Sequence, residues 1–340
     1  MSQSPAYQLV VGIDIAAASA TLVELPYQAS PSRPRTIPQT PASHTALLAQ
    51  LQQRGLPLSR ILIVMEATGT YWIALATTLA QAGLPVSVIN PAQAHDFAKA
   101  LLKRSKTDAI DALTLAQLGS LLQPACWTPP PAVYHELQQR LLQRDALLEL
   151  RQQLRNQLHA LIQQPVVISS VRTRLESLIS TLSEQISAVE QELAAAVELD
   201  QSWAATAERL QTITGIGLLT AAWLLVTTLN FTVSRDAAQA AGYAGLVPRQ
   251  RQSGSSLRGR AALGHSGNSR LRRALYMASL SATQRNPAIK AFYARLRTRG
   301  KPMKVARCAA ARKLLQIAWA VATKEQAFDP NYAEGRQQQG

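Results

Sequence analysis

Four acidic side chains occupy positions from which they could share a metal ion. Asp14 ends the apolar run QLVVGID, and Glu66 ends the apolar run ILIVME. Asp108 and Asp111 lie three residues apart in KTDAIDALTLAQL, a spacing that places both on one face of a helix. Four carboxylates at one sheet edge repel each other unless divalent cations lie between them, and oxygen-only ligands favour Mg²⁺ or Mn²⁺. Two such ions can activate the attacking oxygen and stabilise the leaving oxygen in phosphodiester chemistry.

Each acid also has a purely structural explanation. An Asp after a strand often starts a turn, and Ser105 with Asp108 has the spacing of a capping box at a helix start. As a set, however, two strand-ending acids followed by a pair on a helix form an arrangement that turns and caps do not require. The set therefore favours a metal site.

The elements that would position these acids form an α/β pattern over residues 8–125. Two strands are predicted at QLVVGIDIA and ATLVEL. A βαβ unit follows, with strands at ILIVMEA and PVSVI and, between them, a helix over residues 71–81 that ends at Gly83. The pattern stops near Trp127, where CWTPPPA places three consecutive prolines. Proline is excluded from helix interiors, so this connector marks a domain boundary.

Two long helices are predicted between Tyr134 and Leu199, a stretch with no Gly and one Pro, at position 165. Apolar residues in the second helix follow coiled-coil spacing: Leu175, Leu178, Leu182, Ile186, Val189 and Leu193. The first helix carries a similar stripe: Leu147, Leu150, Leu154, Leu158 and Leu161. The pattern leaves open whether the helices pack on each other as a hairpin or pair with a second copy of the chain.

The positive charge of the chain is concentrated in one block. Seventeen Lys and Arg, and no Asp or Glu, lie between Ala241 and Ala320, while the other 18 basic and all 20 acidic residues lie elsewhere. Such a block, in a chain of net charge +15, is typical of a surface that binds polyanions, because neutralised phosphates release counterions. Nucleic acid is the predicted partner, and the acids outside the block predict an enzyme rather than a passive coat.

Composition excludes several other classes. An apolar fraction of 47% argues against disorder, and we predict no membrane span, no export signal and a cytosolic location. Two cysteines, Cys126 and Cys308, form neither a disulfide framework nor a metal cluster and are interpreted as ordinary thiols.

Several motifs together resemble a family of bacterial insertion-sequence transposases. GIDIA, MEATGTYW, INPAQAHDFAKA and KTDAIDA resemble its DEDD, RuvC-like domain. ITGIGLLTAAWLL, AAGYAGLVPRQRQSGSSLRGR and GHSGNSRLRRALYMASL resemble its C-terminal transposase domain. The resemblance implies a ribonuclease H-like domain over residues 1–128, a Pro-rich connector with coiled-coil helices over 129–202, and a helical domain over 203–325. The tail, 326–340, is predicted to be disordered.

The same resemblance implies a serine nucleophile at Ser253, in QRQSGSS. The residues alone do not choose Ser253 over Ser255, Ser256 or Ser266, because a Ser-Gly loop among arginines is also typical of a phosphate-binding turn. Arginine can clamp phosphate oxygens in a bidentate manner. The arginines predicted to contact nucleic acid are Arg249, Arg251, Arg258, Arg260, Arg270, Arg272 and Arg273.

A glycine turn, Thr214 to Gly217, looks like the hairpin of a helix-hairpin-helix unit. Gly215 and Gly217 would let backbone N–H groups approach a phosphate, although a plain helix-joining turn explains them equally well. The chain departs from the family pattern at Thr214, where proline is usual, and at Ala17, where a lysine often follows the first Asp. The missing lysine removes a possible phosphate contact.

Three functions from different classes are compatible with parts of this pattern. The family implies a recombinase guided by an element-encoded bridge RNA that pairs with donor and target DNA. Because strand exchange between two duplexes needs several active sites, and the seam from Leu175 to Leu193 offers a contact between protomers, we expect a dimer that becomes a tetramer on DNA. Its alternative is a metal-only RuvC-like nuclease. GIDIAAAS also resembles the phosphate loop of actin-like sugar kinases, but the basic block has no use in such an enzyme. A non-catalytic nucleic-acid-binding protein would explain the charge but not the acids.

Overall fold

The computed structural model describes residues 6–102, 105, 107–248, 252–253, 257–258 and 267–330, with only the backbone at 252–253 and 257–258. The chain divides into two compact units, Met1–Pro129 and Pro130–Gly340. The boundary falls between the first two of the three prolines of the predicted connector.

The first unit is built on a mixed five-stranded sheet with the order β3-β2-β1-β4-β5. Its strands are β1 (Leu9–Ile15), β2 (Ser19–Pro26), β3 (Arg35–Pro38), β4 (Ile61–Glu66) and β5 (Val86–Ile89). Its α-helices are α1 (Pro41–Gln52), α2 (Ile73–Gln81), α3 (Pro91–Ala100) and α4 (Asp108–Leu122). β1 to β3 form an antiparallel meander, whereas β4 lies parallel to both β1 and β5.

Helices cover both faces of this sheet, because the strands bury apolar side chains on both sides. One face packs against α1 and α2 through residues such as Leu47 and Leu75, and the other packs against α3 and α4 through residues such as Ala94 and Leu115. The predicted α/β domain and its βαβ unit, β4-α2-β5, are confirmed. The sequence analysis did not identify α1 or β3.

Within its described residues, the second unit is helical apart from one short hairpin. Its helices are α5 (Ala132–Ile162), α6 (Ser169–Val197), α7 (Gln201–Gln211), α8 (Leu218–Thr228), α9 (Ala237–Tyr243), α10 (Ser269–Arg285), α11 (Pro287–Thr298) and α12 (Met303–Lys324). The hairpin strands are β6 (Gln252–Ser253) and β7 (Leu257–Arg258).

The two long helices pack against each other within one chain. Arg140 of α5 pairs with Glu192 of α6 at 3.1 Å, and Arg144 pairs with Glu190 at 2.6 Å. Along the predicted seam of α6 the C-terminal residues Ile186, Val189 and Leu193 are buried. In contrast, Leu178 remains 47% exposed. The C-terminal half of the seam is therefore used inside the chain.

The hairpin of α5 and α6 belongs to the same unit as the helices that follow it. Leu137 and Leu193 lie in one hydrophobic core with Trp203, Leu224 and Leu314. The division that we predicted between residues 202 and 203 therefore does not separate two cores, because the base of the hairpin is part of the helical domain's interior.

The beginning of the predicted disordered tail is folded. The Phe328 amide donates a hydrogen bond of 2.8 Å to Thr212 Oγ1, and the Phe328 ring packs against the helical core. Apolar burial thus fixes residues 326–330, whereas residues 331–340 lie outside the described residues.

Candidate active site

Strand pairing brings the first two predicted acids to one edge of the sheet. In the parallel pair of β1 and β4, Ile13 lies opposite Met65, and Asp14 and Glu66 are the residues that follow. Side chains alternate along a strand, and Val10 and Val64, which are in phase with the two acids, pack in the core beneath α4. Asp14 and Glu66 therefore lie on the sheet face that α4 covers.

A glycine in β1 allows the α4 backbone to rest directly on the sheet. A Cβ atom at Gly12 would lie 2.0 Å from the Ala112 carbonyl oxygen and 2.5 Å from the Ala116 nitrogen. Farther along α4, a Cβ atom at Gly119 would lie 2.5 Å from Val64 Cγ2 and 2.9 Å from Val10 Cγ1. The helix thus runs so that its N-terminal turn lies toward the ends of β1 and β4, where the strand acids are.

That N-terminal turn carries the other two acids. Thr107 caps α4, with its Oγ1 accepting a hydrogen bond of 3.3 Å from the Ile110 amide, and Asp108 is the first helical residue. The cap is therefore Thr107, and the capping-box interpretation of Ser105 with Asp108 is wrong. Negative charge in a first helical turn is favoured by the helix dipole. Asp111 is half-buried, whereas Asp108 is exposed.

Glu66 and Asp111 line one cavity of about 460 Å³. Its wall also includes residues of α3, together with Ser105 and Ile110. Thr68 Oγ1 donates a hydrogen bond of 2.9 Å to Glu66 Oε1, which orients that carboxylate at the end of β4. The structure therefore joins one strand acid and one helix acid across a common space.

The chemistry of these donors fits a hard divalent cation, because all of them are carboxylate oxygens. Of the four predicted acids, Glu66 and Asp111 are the two that line this cavity. Among the residues that the structure describes, no three His, Cys, Asp or Glu side chains are grouped so that they could hold one ion. In the part of the chain that the structure describes, Asp14 and Glu66 lie on neighbouring strands and Asp108 and Asp111 lie in the first turn of α4, and they do not form a closed set of ligands.

The predicted nucleophile lies on the hairpin of the second unit. Ser253 of β6 pairs with Leu257 of β7, and Gln252 pairs with Arg258. Both strands are two residues long. The other residues considered around it lie outside the described residues: Arg249, Arg251, Arg260, Ser255, Ser256 and Ser266.

Described residues on the two sides of the segment that contains this hairpin contact each other. The Asn268 amide donates a hydrogen bond of 2.7 Å to the Tyr243 carbonyl. Gly267, at φ +90°, lies so close to Gly245 that an added Cβ atom would meet the Gly245 nitrogen at 2.5 Å. Asn268 also caps α10, with Oδ1 accepting from the Arg270 and Leu271 amides. This junction anchors both ends of the segment.

Three predicted nucleic-acid contacts follow that junction on α10. The Arg270 guanidinium lies 6.0 Å from the centre of the Trp223 ring, and Arg272 Nη1 donates to the Ala244 carbonyl at 3.4 Å. Arg273 Nη1 faces Glu149 at 3.5 Å, and its Nη2 faces Asp145 at 4.0 Å. Arg273 therefore connects α10 to α5, and two carboxylates of the same chain offset its charge.

Most described side chains of the basic block are exposed to solvent. The structure describes the side chains of 13 of the basic residues between Ala241 and Ala320, and ten of these 13 are exposed. They are Arg270, Arg273, Arg285, Lys290, Arg295, Arg297, Arg299, Lys301, Lys304 and Lys313. A surface with this charge can bind a phosphate backbone without reading its sequence.

The glycine turn joins α7 to α8 and is held by a buried asparagine. Gly215 has φ +109°, and a Cβ atom there would lie 2.7 Å from Ala282 Cβ on α10. Asn286, with 0% exposure, donates from Nδ2 to the Thr214 carbonyl at 3.1 Å and accepts from the Ile289 amide at 3.2 Å. Gly217 precedes α8 and has open space around its Cα. The turn is thus fixed to the corner between α10 and α11.

The sequence analysis missed Asn286. The dipeptide Asn286-Pro287 carries a helix N-cap followed by proline at the first helical position, a signal that the sequence does contain. Its hydrogen bond to Thr214, 72 residues away, is a tertiary contact without a local signal.

Neither cysteine shows the environment of a reactive thiol. Burial raises the pKa of the Cys308 thiol, an effect that nearby Arg272 opposes, so the thiolate is disfavoured. Cys126 is exposed, and its Sγ lies 3.7 Å from Tyr7 Oη.

Known proteins place this fold and site in the class of DNA transposases. A family model described as a transposase matches residues 11–166, and a second, described as the transposase IS116/IS110/IS902 family, matches residues 207–294. The pilin gene-inverting protein of Moraxella bovis is 33% identical over 278 residues, which cover 81% of this chain and 84% of that protein. The transposase for insertion sequence element IS1328 of Yersinia enterocolitica is 30% identical over 287 residues, which cover 75% of this chain and 81% of that protein. The chain belongs to the IS110 family of transposases.

Among solved structures, RuvC of Thermus thermophilus is similar at 14% sequence identity and a TM-score of 0.25. The similarity covers 33% of this chain and 97% of RuvC. No helix within the described residues has both the length and the apolar character needed to cross a membrane.

Proposed function

We propose that this transposase is a recombinase of a mobile insertion sequence that exchanges DNA strands through a serine-linked intermediate. Membership of the IS110 family supports the cutting and rejoining of DNA. Three features support a division of this work between the two units: the acids at the sheet edge of the first unit, the hairpin with Ser253, and the exposed basic residues of α10 to α12. The first unit is proposed to be ribonuclease H-like.

Ser253 is proposed to be the nucleophile. Its Oγ attacks the phosphorus, a serine–phosphorus bond forms, and the bond from phosphorus to the 3′ oxygen breaks. The 3′ oxygen takes up a proton and leaves as a 3′ hydroxyl. The 5′ phosphate stays on the serine, so the product is a 5′-phosphoserine. Attack by another strand's 3′ hydroxyl then reverses these steps and releases the serine. Arginines near Ser253 in the sequence, among them Arg258 on the paired strand, would balance charge on the phosphate.

The carboxylates are proposed to hold Mg²⁺ or Mn²⁺. Glu66 and Asp111 supply oxygens to a common cavity, and Asp14 and Asp108 lie at the same sheet edge. A divalent cation bound there would supply Lewis-acid stabilisation of phosphate charge. The chain's own contribution is to keep the acids in place, through the contact of α4 with Gly12 and through the hydrogen bond from Thr68 to Glu66.

Donor and target DNA, together with a guide RNA, are the proposed partners. The exposed basic residues of α10 to α12 provide phosphate affinity without base readout, so sequence choice would come from pairing with the RNA. Exchange between two duplexes needs several active sites, and the exposed part of the α6 seam, including Leu178, is the proposed contact between protomers. We propose a dimer that becomes a tetramer on DNA.

A metal-only nuclease is the second candidate. The shared cavity of Glu66 and Asp111 favours it, because carboxylates that hold divalent cations would support phosphodiester hydrolysis by a water molecule, without any serine. In that case the products would carry free 5′ phosphates, and no protein would remain attached to DNA.

The observation that carries the metal-dependent part of the proposal, which both candidates share, is that Asp111 and Glu66 line a common cavity. Asp111→Asn removes one charge and keeps the shape, so DNA cleavage in Mn²⁺ should be abolished while the melting temperature stays unchanged. Asp96→Asn is the matched control, because Asp96 is an acid of the same unit with an 82% exposed side chain. Cleavage by Asp111→Asn at the wild-type rate would contradict the proposal.

A further inference from the structure

The cavity beside Glu66 and Asp111 has a second wall, formed by one face of α3. Residues 91, 94, 95, 98 and 99 line it, a spacing that follows a single stripe along a helix. Asn90 caps α3 through a hydrogen bond of 2.9 Å from the Ala92 amide to Oδ1, so the helix begins directly after β5. Ala94 packs α3 into the core beneath α4, which fixes the distance between the two walls.

The two walls carry opposite chemistry. One presents the carboxylates of Glu66 and Asp111, and the other presents His95 and Lys99, which lie one helical turn apart. Described ion pairs of this unit join Arg54 to Glu24 and His95 to Asp96, and neither involves Lys99. Both α3 side chains are exposed, so a ligand entering the cavity would meet them first.

A lysine and two acids that line one open cavity suit an anion that must approach those carboxylates. A phosphodiester carries one negative charge, and its approach to Glu66 and Asp111 is opposed by repulsion. A cation on the opposite wall offsets that repulsion and donates hydrogen bonds to phosphate oxygens. A volume of about 460 Å³ falls within the range of ligand pockets.

We propose that the α3 face of this cavity is a binding site for the DNA phosphodiester on which Glu66 and Asp111 act. Lys99 is its cationic contact, and His95 is a second hydrogen-bond donor. The inference rests on the proposed function, because it takes DNA as the substrate of the carboxylates. It assigns substrate binding in this unit to α3, outside the basic block.

A structural explanation for Lys99 makes a different prediction. Lys99 lies in the last turn of α3, where a cation is stabilised by the helix dipole. If this were its whole role, Lys99→Gln would lower the melting temperature slightly and leave DNA binding unchanged. Under the proposal, Lys99→Gln weakens DNA binding and changes its salt dependence.

The test measures binding of the full-length chain to a fluorescent DNA duplex in EDTA, where no cleavage occurs, across a range of salt concentrations. Loss of one phosphate contact should reduce the slope of log K against log salt by about 0.9 in Lys99→Gln. Lys99→Arg should keep the wild-type slope. Arg33→Gln is the charge-matched control, because Arg33 is an exposed residue of the same unit between β2 and β3.

A second measurement uses cleavage at subsaturating DNA with Mn²⁺, where Lys99→Gln and His95→Ala should both react more slowly than wild type because less DNA is bound. A wild-type slope and cleavage rate in Lys99→Gln would overturn the proposal, as would a slope change seen with an RNA duplex and not with DNA. A wild-type chain that binds DNA but never cuts it would overturn the proposed function, while a reduced slope in Lys99→Gln would still support the binding site.

Discussion

Replacing Gly12 by alanine tests whether the contact between α4 and β1 sets the geometry of the acids. The added Cβ atom would lie 2.0 Å from the Ala112 carbonyl oxygen, whereas real Cβ contacts essentially never fall below 3.0 Å. The helix must therefore move by about 1 Å or the strand must bend. Overpacking of this kind costs about 1–3 kcal/mol of unfolding free energy. Because Asp108 and Asp111 move with α4, we expect DNA cleavage to fall by roughly a hundredfold, the typical effect of a 1 Å misplacement.

The assay compares denaturant unfolding and Mn²⁺-dependent DNA cleavage for Gly12→Ala and Gly242→Ala. Gly242 lies within α9, and a Cβ atom there would meet nothing within 4 Å, so the control should gain about 0.5–1 kcal/mol from helix propensity. Cleavage by folded Gly12→Ala at the wild-type rate, with unchanged stability, would refute the reasoning.

Three further predictions concern other parts of the chain. Asn286→Ala leaves the Thr214 carbonyl and the Ile289 amide unpaired, so the free energy of unfolding should drop by about 1–3 kcal/mol and DNA binding should weaken. Calorimetry measures the first effect, and a binding titration measures the second. Burial holds the pKa of His44 below its ordinary value of 6.5, so the unfolded chain binds the proton more readily than the folded chain does. The free energy of unfolding should therefore fall as the pH drops below 6.5, and this fall should be smaller in His44→Gln. Leu178→Glu should convert dimers to monomers in light scattering without lowering the melting temperature, whereas Ile186→Glu should unfold the hairpin because Ile186 is buried.

Each of these predictions has a clear contrary result. Unchanged stability of Asn286→Ala would show that its hydrogen bonds do not fix the glycine turn. A wild-type acid profile in His44→Gln would assign the acid sensitivity to other groups. A strict monomer, both free and with RNA and DNA, would leave the α6 seam as a contact within one chain.

The order of elements around the acids could be read from the sequence, because local patterns determine it. Asp14 and Glu66 were predicted to end strands, since apolar runs bounded by polar residues specify buried strands. Glu66 does end β4, whereas β1 continues one residue beyond Asp14, to Ile15. The pairing of β1 with β4 and the contact of α4 with Gly12 could not be read in the same way. Both depend on packing between segments about 50 to 100 residues apart.

The side-chain partners in the second unit could not be predicted from the sequence pattern either. Arg273 was predicted to contact nucleic acid because it lies in a basic run, but its guanidinium faces Asp145 and Glu149 of α5. The α6 spacing predicted a seam without saying what covers it, since an intramolecular partner and a second copy require the same spacing. Ion pairs such as Arg144 with Glu190 show that α5 covers part of it.

The most direct test of the proposed chemistry is the trapping of a covalent protein–DNA adduct. Wild type, incubated with guide RNA, Mg²⁺ and a suicide DNA substrate, should form an adduct that survives a denaturing gel, with peptide mapping locating the DNA on Ser253. Ser253→Ala should bind DNA and form no adduct, whereas the control variants Ser255→Ala and Ser256→Ala should still form it. An adduct on any other residue, or unimpaired recombination by Ser253→Ala, would contradict the account and assign the chemistry to the carboxylates and water.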